Sequence, residues 1–244
     1  MGFLIPFELD FNRLRSSNWF KRTLLVICFA IISGFFIARA FSPRLQNHGG
    51  AYPYFVLHCL ELVIIPLLIF FCGNQLIGKA LKNQEIRLWF LQSASKSSIF
   101  LGKMLATLGI ILLVYGVSFI VSLIVTLSFS GLTAVSVIKV LFVYASSFLG
   151  FLPIIPLAFL VVLLVKQASV AFLINMIVYY SLLVLEKIEL TVFKEKELRI
   201  LASSTFYSGH IFTIGQFFLI FGLTILASIV VYRLALRRFK QVEL

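Results

Sequence analysis

Glu61 stands inside a long apolar run, about Tyr54 to Ile77, with His58 three residues before it. On a helix that spacing puts the imidazole and the carboxylate on one face, within reach of a hydrogen bond. An ionised carboxylate in lipid is costly, so such a residue usually faces protein and marks a functional site. The chemistry open to the pair is acid–base work in an intramembrane enzyme, but enzymes of that kind need a second set of ionisable groups at depth, and the chain offers none. The alternative is structural. Glu61 lies about 7 residues into the run, roughly 10 Å deep at 1.5 Å per residue, which is close to the outer headgroups. That depth tips the balance to a structural role.

The remaining chemical signals are weaker. His58 and His210 have no third ligand spaced near either, so a zinc pair is rejected. Cys28, Cys59 and Cys72 sit in apolar runs at no metal spacing and read as small buried hydrophobes. The run from Gly73 through Gly78-Lys79-Ala80 imitates a phosphate-binding loop, but Ala80 stands where a Ser or Thr hydroxyl must hold magnesium, and the run ends an apolar helix instead of following a strand. No catalytic, cofactor-binding or metal-binding residue is therefore assigned. The chain is not expected to hydrolyse nucleotide itself.

The elements that must position these residues are helices in a membrane. Of 244 residues, 61% are apolar and only 12% charged, against a globular norm of about 25% charged. The mean hydropathy is +1.08, and several apolar runs exceed the roughly 18 residues that mark a spanning helix. The expected architecture is an all-α membrane protein, residues 1–244 forming a single transmembrane domain. An interfacial leader covers 1–22, with Phe7, Phe11 and Leu14 on one face, and six spans follow at about 23–38, 54–77, 104–129, 138–165, 168–185 and 214–232. Ala38-Arg39-Ala40 looks like a signal cleavage site, but the acid-containing leader favours a retained helix.

Basic residues set the orientation. The net charge of +12 comes from 21 Lys and Arg against nine acids, and the bases flank apolar runs as membrane orientation requires, which disfavours nucleic acid as a partner. With both termini in the cytoplasm, fourteen of the 21 bases fall on inner segments and seven outside. A multi-pass protein of the cell (plasma) membrane, in contact with its lipids, follows.

Within the fourth span, Pro153 and Pro156 each free a backbone carbonyl and predict a kink, structural or acting as a hinge. Gly109 and Gly116, one heptad apart, predict close helix packing. Residues 186–199 alternate acids and bases and read as a solvated surface helix.

The longest break in the apolar pattern is Lys79 to Lys103, with Lys79, Lys82, Arg87, Lys96 and Lys103 against the lone acid Glu85. Glu85, Leu88, Trp89, Gln92 and Lys96 recur at helical spacing, so one short helix puts Leu88 and Trp89 on bilayer or protein and Gln92 and Lys96 in water. A basic amphipathic helix beneath a membrane is a docking surface.

This layout resembles the permease subunit of an ABC-2 type transporter. Glu85 stands like the acid that begins that family's coupling helix, Ser95-Lys96 resembles its Ser-Arg, and Ile99-Phe-Leu-Gly102-Lys103 is similar to its entry to the third span. The usual Gly-Thr pair after the acid is missing and Ser93 replaces a Pro. The resemblance implies a cytoplasmic coupling helix between spans two and three, with Glu85, Leu88, Trp89, Gln92, Ser95 and Lys96 meeting a separate ABC ATPase subunit that binds the ATP and Mg. It also implies a second permease copy, as homodimer or related heterodimer. The resemblance also implies export, and the Phe-rich interior favours a peptide, an antimicrobial or drug, or a lipid-like molecule as the cargo. Two other readings stand beside it, the Glu61/His58 enzyme and a non-transporting membrane scaffold subunit.

Overall fold

A computed structural model describes residues 4–41, 52–82, 95–130, 134–192 and 214–241, and every regular element among them is helical. The helices are α1 (Leu4–Ser16), α2 (Asn18–Phe41), α3 (Tyr52–Lys82), α4 (Lys96–Ser130), α5 (Ala134–Gly150), α6 (Ile154–Val165), α7 (Ala168–Val192) and α8 (Ile214–Lys240). Four stretches are long and apolar enough to cross a membrane: Asn18–Ile37, Tyr52–Lys82, Lys96–Ser128 and Val137–Val165. Ala168–Val184 is a shorter apolar helix. Large apolar side chains such as Leu25, Phe29, Ile120, Ile124, Ile177 and Leu226 face outward. A surface this apolar is unusual for a protein in water and ordinary for one in lipid.

Several expected boundaries move. The first apolar helix starts at Asn18 because Ser17 ends one helix and caps the next: its hydroxyl donates to the Leu14 carbonyl at 2.7 Å and accepts from the Phe20 N–H at 3.2 Å. The third starts at Lys96, earlier than residue 104, because Ser95 caps it by accepting the Ser98 N–H at 3.2 Å. Lys96 is thus the first residue of α4. Residues 186–192 continue α7, and the basic residues after 232 continue α8 to Lys240.

Pro153 and Pro156 do more than kink the fourth apolar stretch. Residues 151–153 form a turn, with Phe151 and Leu152 bonding back to the Phe148 and Leu149 carbonyls at 3.2 Å each. Helix α6 restarts with Pro153 as its N-cap and Pro156 in its first turn, where a missing N–H leaves no helical bond unmade. At the other end of α6, Lys166 takes a left-handed conformation (φ 58°), its N–H reaching the Val162 carbonyl at 3.0 Å, and α7 begins two residues later.

Helices α2 and α3 run antiparallel, as do α4 and α5. Trp19 stacks on Phe71 near the start of α2, and Phe35 and Tyr52 meet edge-on at its other end. Tyr115 of α4 pairs with Ser147 of α5, and Ser122 with Tyr144. Asn175 of α7 donates to the Ala158 carbonyl of α6 at 3.3 Å. One end of the bundle is organised by Phe100, fully buried against Phe159, Tyr232 and Phe239.

The leader does not stand apart from the bundle. Helix α1 lies along α4, where a Cβ on Gly102 would come within 2.9 Å of the Pro6 Cβ and 3.0 Å of the Phe7 nitrogen. A Cβ on Gly109 would come within 3.0 Å of the Phe11 ring, whereas one on Gly116 would meet nothing within 4 Å. Of the two expected packing glycines only Gly109 makes the contact, and Gly102 makes the tighter one. Between them Lys103 Nζ donates to Asp10 Oδ2 at 2.9 Å, the two side chains 3% and 13% exposed.

Candidate functional site

Glu61 is 1% exposed and sits in a π-helical turn, Leu60–Ile64, within α3. The turn has a local cause five residues on. Pro66 brings no N–H to the helix, and the Ile65 N–H is used on the Leu60 carbonyl, so the carbonyls of Glu61 and Leu62 are short of backbone donors. Helix α7 supplies them. Tyr179 OH donates to the Glu61 carbonyl at 2.9 Å and Tyr180 OH to the Leu62 carbonyl at 3.1 Å.

The widened turn points the Glu61 carboxyl at α5. Ser147 Oγ donates to Glu61 Oε1, and Tyr115 OH lies 2.8 Å from the same Ser147 oxygen. Because serine has one hydroxyl proton and spends it on Glu61, Tyr115 is the donor in the second bond. The chain of hydroxyls therefore runs Tyr115 to Ser147 to Glu61. Tyr144 OH donates to the Pro53 carbonyl at 3.1 Å and lies 3.4 Å from Ser122 Oγ. Phe119 and Phe148 pack edge-on against Tyr144 and Tyr115. Glu61 Oε2 is buried with no hydrogen-bond partner, and so is Ser118 Oγ, one turn from both Tyr115 and Ser122 on α4.

A buried carboxyl with one oxygen served by a hydroxyl and the other unserved is a costly arrangement, since an unmade bond to a buried polar atom costs about 1–3 kcal/mol. Chemically, the unserved oxygen can take a proton or accept a hydrogen bond from a cationic group. His58 does not share in it: the imidazole is exposed, while Glu61 turns inward. The residues that surround Glu61 are Ser147, Tyr115 and Tyr179, each from a different part of the chain. The sequence signals that could have found them were Pro66, five residues after Glu61, and the Tyr179-Tyr180 pair in an apolar helix.

The other proposed residues are distributed as follows. Glu85, Leu88, Trp89 and Gln92 lie outside the described residues. Ser95 caps α4, and Lys96 Nζ donates to the Lys240 carbonyl at 3.4 Å, joining the end of the basic segment to the last turn of α8. Pro153 and Pro156 form the break between α5 and α6. The phosphate-loop imitation is helical throughout; a Cβ on Gly73 would touch the Phe159 ring and one on Gly78 would come within 2.9 Å of the Ala168 Cβ, so these glycines serve helix contact. Cys72 is buried as expected and Cys28 half-buried, but Cys59 is exposed. Among the described residues no group of three His, Cys, Asp or Glu side chains is close enough to hold a metal.

No protein-family model matches the chain, and no curated protein matches it.

Proposed function

We propose that this chain is the membrane-spanning permease subunit of an ATP-driven ABC exporter. It crosses the cell membrane six times, both termini are cytoplasmic, and the nucleotide is hydrolysed by a separate subunit. One observation supports this reading above the others. The leader, the segment that ends at Lys103 and the end of α8 are tied together at one end of the bundle, through Asp10 with Lys103 and Lys96 with Lys240. These are three of the segments that the charge count assigns to the cytoplasm. A motor docked on the residues between Lys82 and Ser95 would move α3 and α4 as rigid bodies, and α1 with them, because α1 is packed on α4.

The cargo under this reading is a peptide, an antimicrobial or drug, or a lipid-like molecule, and the active unit contains a second permease copy. The test is purification from native membranes with soluble partners retained. An ATPase subunit should accompany the chain, and Glu85→Ala or Trp89→Ala should separate ATP hydrolysis from transport while leaving the complex assembled. Recovery of the chain without any nucleotide-binding subunit, in a form active by another assay, would overturn the proposal.

The enzyme reading draws on the Glu61, Ser147 and Tyr115 chain. Its own test is Glu61→Gln, which should abolish activity without disturbing assembly.

A further inference from the structure

Helices α4, α6 and α8 leave a cleft of about 280 Å³ between them, lined by Leu101, Leu108, Ile155, Pro156, Ile229 and Tyr232 among others. Its walls are almost wholly apolar. Leu101 to Leu108 and Ile225 to Tyr232 each span seven residues of helix, which makes the trough about 10 Å long at 1.5 Å per residue. The turn at 151–153 shapes the third wall, because Leu152, Ile155 and Pro156 all come from the break between α5 and α6. One end of the trough is marked by Leu101 and Tyr232. Immediately beyond it, α8 carries Arg233, Arg237, Arg238 and Lys240, all exposed, and residues 214–241 contain no acid.

We propose that this trough holds one acyl chain of an anionic phospholipid whose phosphate is bound by the basic last turns of α8. Arg233 directly follows Tyr232 and lies one turn past Ile229, so it flanks the open end of the trough, and Lys240 continues that flank two turns on. Apolar walls at membrane depth select a hydrocarbon chain without selecting among lipids. Selection comes from the cationic turns, since basic residues beside a transmembrane helix attract anionic headgroups and leave zwitterionic ones nearly indifferent. The inference rests on the helices lying in a bilayer with this end at a headgroup layer. It does not require transport, an ATPase or a particular side of the membrane.

Native mass spectrometry of the detergent-purified chain, titrated with phosphatidylglycerol and with phosphatidylcholine of the same acyl length, tests it. The expected result is tighter binding of phosphatidylglycerol by on the order of tenfold. The double variant Arg233→Gln, Lys240→Gln should cut that preference several-fold, and Ile229→Trp, which fills the trough, should weaken both lipids. Melting curves and elution profiles of the variants show whether the fold is kept. Equal binding of the two lipids, or preference unchanged in the double variant, refutes the site. So does a trough closed by residues 193–213 or by a second copy, seen as cysteine crosslinks from position 229 to those segments with no lipid bound. Recovery of the chain without any nucleotide-binding subunit, with lipid selectivity intact, would count against the permease reading and leave this site standing.

Discussion

Tyr179 reaches from α7 to the backbone carbonyl of Glu61 on α3, 2.9 Å away, and supplies a donor where Pro66 provides none. With Tyr180 on the Leu62 carbonyl at 3.1 Å, two side-chain hydroxyls repair a defect in another helix. The defect is what turns Glu61 inward, so the tyrosines support the candidate site without touching its carboxyl oxygens.

Tyr179→Phe should lower stability by about 1–3 kcal/mol, the cost of leaving a buried carbonyl without its donor. Pro66→Ala restores an N–H to the turn, so in the Pro66→Ala background the same Tyr179 substitution should cost measurably less. Thermal unfolding of the four proteins of this double-mutant cycle reads the coupling directly. Additive effects would show that the two residues act independently.

Ser147→Ala should destabilise the protein by about 1–3 kcal/mol, because the Glu61 carboxyl then loses its one recorded donor. Glu61→Leu alone leaves the buried Ser147 hydroxyl without its acceptor and should also destabilise by about 1–3 kcal/mol. The double variant Glu61→Leu, Ser147→Ala removes both partners and should recover much of that loss. Unfolding midpoints in one detergent, compared across the three variants, check the signs.

The leader is predicted to come loose when its ion pair is broken. Lys103→Met places an apolar chain against Asp10, and Asp10→Asn takes the carboxylate from a 3% exposed ammonium. Each should cost about 3–5 kcal/mol if the pair behaves as a buried one, and the double variant Asp10→Leu, Lys103→Met should recover much of that. Protease cleavage within residues 4–16 measures release of α1 and should rise in the single variants only.

Two glycines on one helix should respond with opposite sign. Gly102→Ala brings a methyl group within 2.9 Å of Pro6 and should destabilise by about 1–3 kcal/mol through overpacking. Gly116→Ala meets no neighbour and should stabilise by about 0.5–1 kcal/mol through helix propensity alone. Thermal melts of the two variants decide it.

The helical class, the apolar stretches and the breaks at Lys166-Gln167 and Ser17 to Asn18 differ in how far they could be read in advance. Hydropathy marks runs of residues, so α2, α3 and α4 were legible as elements. Their ends were not, because Ser17 and Ser95 act through single cap hydrogen bonds that leave no trace in an average. The proline pair predicts only a kink because hydropathy stays high across residues 151–153, and only the backbone bonds show a restart. Glu61 was visible as an oddity in an apolar run. Helical spacing points to His58 as its partner, but the π turn that begins at Leu60 breaks that spacing, and Ser147 and Tyr115 reach it only through the tertiary packing of α4 and α5. The leader's own amphipathic pattern predicts an interfacial helix; it records that Phe7, Phe11 and Leu14 need a cover but not that α4 provides it. The coupling segment carries the strongest functional signal in the sequence, and Glu85, Leu88, Trp89 and Gln92 lie outside the described residues.

That segment is also where the account is most exposed to test. A photoreactive amino acid placed at Trp89, and separately at Lys96, in cells that express the native partners should crosslink to a nucleotide-hydrolysing subunit at the cytoplasmic face of the membrane. Crosslinks only to lipid or to the chain itself, or labelling of these positions from outside the cell, would contradict it.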